Sequence, residues 1–160
     1  MTRLIGVLLP ARVYHWLVVR LASIGLVPAT KLHRSVVFRH PLRPRSDHHL
    51  LVPTEFAPDV VDLPESTALC LQEDAMEWVE VSGWDYVLIV ANFGAFQETP
   101  FLHVHLIRIG EPLAEFWDVH PNWLAVELED DQQPFRAGRR VVRYNALEKT
   151  AEVHTDIYLD

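Results

Sequence analysis

Long apolar runs separated by short polar breaks organise this chain, and the spacing inside each run distinguishes helix from strand. Residues 4–27 are nearly all apolar, with Pro10 suited to a first helical position and Gly25 to a helix end. A helix is therefore expected from about Pro10 to Ser23. Arg12, His15 and Arg20 interrupt it too often for a membrane span, which needs roughly 20 apolar residues in succession. No small-residue cleavage site follows a clean apolar stretch, which argues against a signal peptide. The helix is expected to pack on a sheet or in a dimer interface. The alternative is a basic amphipathic anchor at a membrane surface, because Arg and Trp flanking an apolar helix suit that role.

Ser35–His40 reads as a short strand, Pro41–Asp47 as a basic loop, and His48–Pro53 as an apolar strand with two histidines at its entrance. A turn over Asp59–Pro64 leads into a helix from Glu65 to Val81, in which Leu71, Ala75, Trp78 and Val79 recur at helical spacing between acids. Asp62 and Glu65 are spaced as a capping box, and Gly83 ends the helix. Asp85–Ala91 is strongly apolar and is expected to be a central strand covered on both faces. The loop Asn92–Pro100 then opens a strand over Phe101–Ile109. Alternation puts Phe101, His103, His105 and Ile107 on one face and Leu102, Val104 and Leu106 on the other. Beyond Gly110, Ala114–His120, Trp123–Glu129, Arg139–Tyr144 and Ala151–Tyr158 alternate like short strands, with Asn145–Thr150 joining the last two as a hairpin.

Composition narrows the class. The 160 residues are 49% hydrophobic and 22% charged, enough for one folded domain and its core. The single Cys70 excludes an internal disulfide and reads as a small buried hydrophobe, which leaves the cytoplasm as the default compartment. Residues 1–46 carry eight basic residues and no acid, whereas the rest carry six basic residues and all 22 acids. The net charge of −8 thus conceals halves that can pair, within the chain or across a dimer. The five tryptophans read as core and interface aromatics; no basic patch interleaves with most of them, so no nucleic-acid polymer is expected as partner. Arg139, Arg140 and Arg143 read as a solvated strand edge within reach of phosphate, and Glu127, Glu129, Asp130 and Asp131 lack calcium-loop spacing.

Five features occur in a fixed order: the strand His48-His-Leu-Leu-Val-Pro53, one long helix, a strand ending in Asn92, a loop with Gly94 and Gln97, and a strand carrying His103 and His105. This series resembles the histidine-triad superfamily of nucleotide hydrolases and transferases over about residues 34–112. In that family the first triad histidine lies four residues after the glutamine, the nucleophile six and the last eight. Counting from Gln97 gives Phe101, His103 and His105. The loop from Asn92 to Gln97 is shorter than the family's, Glu98 stands where Ser or Thr is common, and the segment before His48 is compressed.

The resemblance implies an α+β core (31–113), an antiparallel sheet of about five strands with one main helix; the residue pattern outside it adds an N-terminal apolar helix (residues 1–30) and a β-rich C-terminal extension (114–160), all in a single domain. It implies a nucleotide-type substrate attacked at its α-phosphate by His103, giving a phosphohistidine. His105, Gln97 and His48 would assist, and Asn92, Gly94, Glu98 and Phe101 would bind substrate. No cofactor is implied, and a homodimer is. A backbone carbonyl is the expected partner that orients one nitrogen of His103. Two other readings remain open. His103 and His105, with His48 or His120 and a carboxylate such as Glu98, could ligate a metal as in a cupin-like barrel. Alternatively the fold is a non-catalytic dimeric binding module whose histidines belong to core or rim.

Overall fold

A computed structural model describes residues 9–43, 47–61, 63–110, 122–133 and 137–158. Two helices, α1 (Ala11–Ser23) and α2 (Glu65–Ser82), pack on strands β1 (Ala29–Lys31), β2 (Ser35–Arg39), β3 (His48–Pro53), β4 (Tyr86–Phe93), β5 (Val104–Arg108), β6 (Gly138–Asn145) and β7 (Thr150–Ile157). The strands form one antiparallel sheet in the order β1-β2-β3-β5-β4-β6-β7. The fold is α+β, but the sheet has seven strands rather than about five. β1, a short edge, was not expected, whereas β6 and β7 are the strands expected over Arg139–Tyr144 and Ala151–Tyr158. All eight residues of β6 pair along β4, so this C-terminal segment extends the sheet across an edge that β5 leaves free.

The strand pleat divides the sheet into two faces. On one, Val37, Leu51, Val87, Ile89, Ala91, Val104, Leu106 and Val142 form the main core with α2, which contributes Ala68, Leu71, Ala75, Trp78 and Val79 at helical spacing. Asp74 is the polar member of that helix face and is 2% exposed. Its carboxylate accepts from Arg34 N at 2.9 Å and Ser35 Oγ at 2.7 Å, which fastens the β1–β2 turn to α2. Gly83 ends α2 in the left-handed region (φ 69°), where a side chain is disfavoured. The residue preceding α2 is Pro64, with no side-chain cap; Asp62, expected to complete a capping box, lies outside the described residues.

On the other face α1 covers only part of the sheet. Tyr14 and Ala22 pack against Val36, Val52 and Phe101, and the Tyr14 and Phe101 rings meet edge to face at 5.2 Å. His15 Nε2 donates to the Pro53 carbonyl at 2.7 Å, which secures the helix to the end of β3. Beyond α1, this face of β4 is not sealed: Leu88 and Asn92 are half-buried, against the expectation of cover on both sides. α1 crosses the β2–β3 half and leaves the β4 half as the wall of a cavity.

Two further expectations change. Trp123–Glu129 makes no strand, although burial alternates from Leu124 to Glu129; one isolated bridge joins Val126 to Val61. Asn122 Oδ1 accepts from the backbone of Leu124 and Ala125, and Trp123, Leu124, Val126 and Leu128 lie on the main core as an extended cover. Arg139, Arg140 and Arg143 do not sit on a sheet edge, because β6 lies between β4 and β7. Arg140 instead ties down the cover, donating to the carbonyls of Trp123 and Asn122 at 2.8 and 2.9 Å. The segment Ala114–His120, expected as a strand, lies outside the described residues. Among the described residues no helix is long and apolar enough to cross a membrane.

Candidate functional site

Four imidazoles meet on the face that α1 leaves open. β3 and β5 pair with Leu50 opposite His105, so His48 stands diagonally across from His105 on the same face. His48 Nε2 and His105 Nδ1 are 2.9 Å apart and share a hydrogen bond. His40 follows β2, and its backbone N–H donates to the His48 carbonyl at 3.1 Å, continuing the β2–β3 pairing by one residue. Its ring centroid lies 4.5 Å from that of His48 and 5.8 Å from that of His105. Ligand-capable atoms of His40, His48 and His105 all lie within 4.8 Å of one another.

His103 adjoins this trio, with its ring centroid 5.1 Å from that of His105. The strand begins at Val104, one residue later than His103, and the turn before it lets His103 Nδ1 reach the carbonyl of Phe101 at 3.1 Å. A carbonyl only accepts, so this contact favours the tautomer with the proton on Nδ1 and the lone pair on Nε2. Thr99 Oγ1 lies 3.2 Å from the same Nδ1. His103 is 5% exposed.

Burial dominates the electrostatics. It lowers the pKa of His48 to about 4, assisted by His40 and Arg43, and that of His105 to about 3, assisted by His103 and His48. Burial also lowers His40 and His103; for His103 the Phe101 carbonyl and Glu98 oppose the shift. The four rings are therefore neutral near pH 7, each with one N–H and one lone pair.

A cavity of about 350 Å³ opens onto the cluster, lined among others by His40, Arg43, His48, Asn92, Glu98, His105 and Arg139. Arg139 Nε donates to Asn92 Oδ1 at 2.9 Å across the β4–β6 pair, so the guanidinium and the amide hold each other at the rim. Two arginines and a bank of neutral imidazoles suit an anionic oxygen ligand. A larger cavity of about 780 Å³ lies between the α1–β1 link, β2, β3 and α2, and is mostly apolar, with His49 in its wall. His49 faces α2, away from the cluster, with its ring centroid 4.7 Å from that of Trp78. Convergence of polar groups, not size, makes the smaller cavity the candidate site.

Of the sequence-derived site residues, His48, His105, Asn92 and Glu98 line this cavity. His103 sits beside it without lining it. Gln97 turns elsewhere: its amide donates to the Pro58 carbonyl at 2.7 Å and braces the loop. Gly94 is exposed at the head of a single 3-10 turn (φ 63°), and Phe101 packs into the α1 layer at 3% exposure. His120 lies outside the described residues. The residues that sequence reasoning missed are His40 and Arg43. The signal for His40 was its phase, two positions beyond Phe38 and four beyond Val36 on the same face of β2. Comparison of the chain with protein-family models, curated proteins and solved structures finds no match.

Proposed function

We propose that this protein is a nucleotide hydrolase or nucleotidyl transferase that acts at an α-phosphate through a phosphohistidine on His103. The observation that carries the reading is the contact between His103 Nδ1 and the Phe101 carbonyl. It favours the tautomer that leaves Nε2 unprotonated, the state an imidazole nucleophile needs, and a backbone carbonyl cannot change its protonation to release it. The lowered pKa of His103 keeps that lone pair available at neutral pH. Attack by Nε2 forms the N–P bond as the bond to the leaving group breaks. Water then attacks phosphorus, releasing the nucleoside monophosphate and restoring the imidazole.

The surrounding groups suit positioning and charge stabilisation, which make up most of phosphoryl-transfer catalysis. Arg43 and Arg139 flank the cavity and can pair with phosphate oxygens, while Asn92 is held in place by Arg139. His105 separates His103 from the cavity's histidine bank, at ring-centroid distances of 5.1 Å from His103 and 5.2 Å from His48. Because His103 is buried beside the cavity, the reading requires the corner of exposed Glu98 and half-buried Thr99 to yield when a phosphate enters. Phe101, at the position of the resembled family's first triad histidine, supplies its backbone carbonyl to His103 and its ring to the core.

The test is hydrolysis of adenosine phosphoramidate and diadenosine polyphosphates by the purified chain and by His103→Ala, with circular dichroism to verify that the variant folds. Turnover that disappears in the variant, with an acid-labile nucleotidyl adduct trapped on the wild type, is the expected result. Turnover at an unchanged rate in the variant, or none by the wild type on any of these substrates, overturns the reading.

A further inference from the structure

We propose that His40, His48 and His105 form a binding site for one divalent transition-metal ion of the zinc class. The site goes beyond the phosphohistidine reading and does not depend on it, because none of its three ligands is His103. Among the described residues these histidines form the one group of three or more histidine, cysteine or acidic side chains whose donor atoms come within 4.8 Å of one another.

The three rings arrive from separate strands: His40 from the end of β2, His48 from the start of β3 and His105 from β5. Three imidazoles are borderline ligands that suit zinc, copper, iron or nickel, whereas calcium and magnesium require oxygen. Three protein ligands with a fourth position left open is the pattern of reactive rather than structural zinc sites. Here the open side is the 350 Å³ cavity, whose remaining polar lining includes Arg43, Glu98, Asn92 and Arg139. The fourth position would thus take water or the oxygen of an anionic ligand.

For the His48–His105 pair the present geometry is close to what an ion needs, and the His40 donor stands within 4.8 Å of both. Zinc–nitrogen bonds of about 2.0–2.1 Å in a tetrahedron place ligand nitrogens roughly 3.3 Å apart. His48 Nε2 and His105 Nδ1 face each other at 2.9 Å, so opening that contact by a few tenths of an ångström admits the ion. The ring that donates in this contact then carries its proton on its other nitrogen. Leu42 N donates to His40 Nδ1 at 3.2 Å, a long bond that ligation through either nitrogen of this ring gives up. His40 and His48 are 8% and 7% exposed, so an ion held there is shielded from most of the bulk solvent.

The experiment uses the full chain without a histidine tag, stripped with chelator and titrated with Zn²⁺ and Co²⁺. Expected results are one equivalent of metal by elemental analysis, a visible Co²⁺ spectrum of four-coordinate type, and separate His40→Ala and His105→Ala variants that each lose affinity by more than about a hundredfold, since even residues that merely orient ligands cost tenfold to a hundredfold. Circular dichroism verifies folding, and His33→Ala, on an exposed histidine away from the site, controls for surface binding. Less than stoichiometric metal on the wild type, or affinity that survives both cluster substitutions, overturns the proposal. The readout is metal content and spectrum, so failure of nucleotide turnover leaves it standing and failure here leaves the phosphohistidine test intact.

Discussion

His48 Nε2 and His105 Nδ1 lie 2.9 Å apart, diagonal neighbours on adjacent strands, so a proton sits between two rings that burial keeps uncharged. Charging the acceptor ring removes the acceptor, and charging both sets two cations side by side.

Stability should therefore fall as the solution is acidified. The ordinary histidine value is 6.5, whereas the folded chain holds His48 at about 4 and His105 at about 3. Below pH 6.5 the unfolded chain takes up protons that the folded chain refuses, so the histidine contribution is complete above that value and declines toward pH 4. One such proton amounts to about 1.4 kcal/mol per pH unit, or about 3–5 °C in melting midpoint for a chain of this size. Thermal melts between pH 7 and pH 5 measure it. The slope should flatten in a His48→Gln, His105→Gln double variant, and a slope that persists there would assign the effect to other groups.

The tautomer of His103 is a second expectation, observable without substrate. Its Nδ1 should carry the proton and its Nε2 none, because Nδ1 meets the Phe101 carbonyl at 3.1 Å. Long-range ¹H–¹⁵N correlation spectra of histidine-labelled protein near pH 7 distinguish the two nitrogens directly. A protonated Nε2 would contradict the nucleophile assignment whatever the turnover assays give.

Asp74→Ala should destabilise the fold by about 2–4 kcal/mol, since it strands the part-buried Arg34 N–H and the buried Ser35 hydroxyl. Asp74→Asn retains an acceptor oxygen and should cost less. Urea unfolding of both variants gives the comparison, and equal losses would remove the hydrogen bonds as the cause.

Gly138 should tolerate no side chain. A Cβ there would fall on the Asp156 carbonyl and come 2.7 Å from Phe93 Cζ, both parts of packed strands with little room to shift. Gly138→Ala should lose about 1–3 kcal/mol, the range for overpacking. A melt within experimental error of the wild type would show that β6 and β7 can separate.

The strands that form the site were legible where hydrophobicity and turns agree. His48–Pro53 is found with the expected ends, and α2 extends one residue past the expected Val81 before Gly83 turns the chain. His40 was not legible as a site residue. Its phase on β2 is plain, but whether it meets His48 depends on how many residues the Pro41–Asp47 reversal consumes, which alternation does not encode. Trp123–Leu128 misled in the opposite direction: burial on one side of an extended segment gives a period of two with or without a pairing partner. Likewise, the docking of β6 on β4 joins segments separated by more than forty residues, and no local pattern reports such a pairing.

The sheet order has a mechanical consequence. β1, β2 and β3 are joined in succession, as are β4 and β5, and within the sheet the two groups meet where β3 lies against β5. His40 and His48 stand on one side of that seam and His103 and His105 on the other. A ligand gripped by His48 and His105 together bridges two halves that the chain connects only through α2. Occupancy of the site and closure of the seam are then a single equilibrium, and the force or denaturant needed to part β3 from β5 becomes a direct gauge of what the histidines hold.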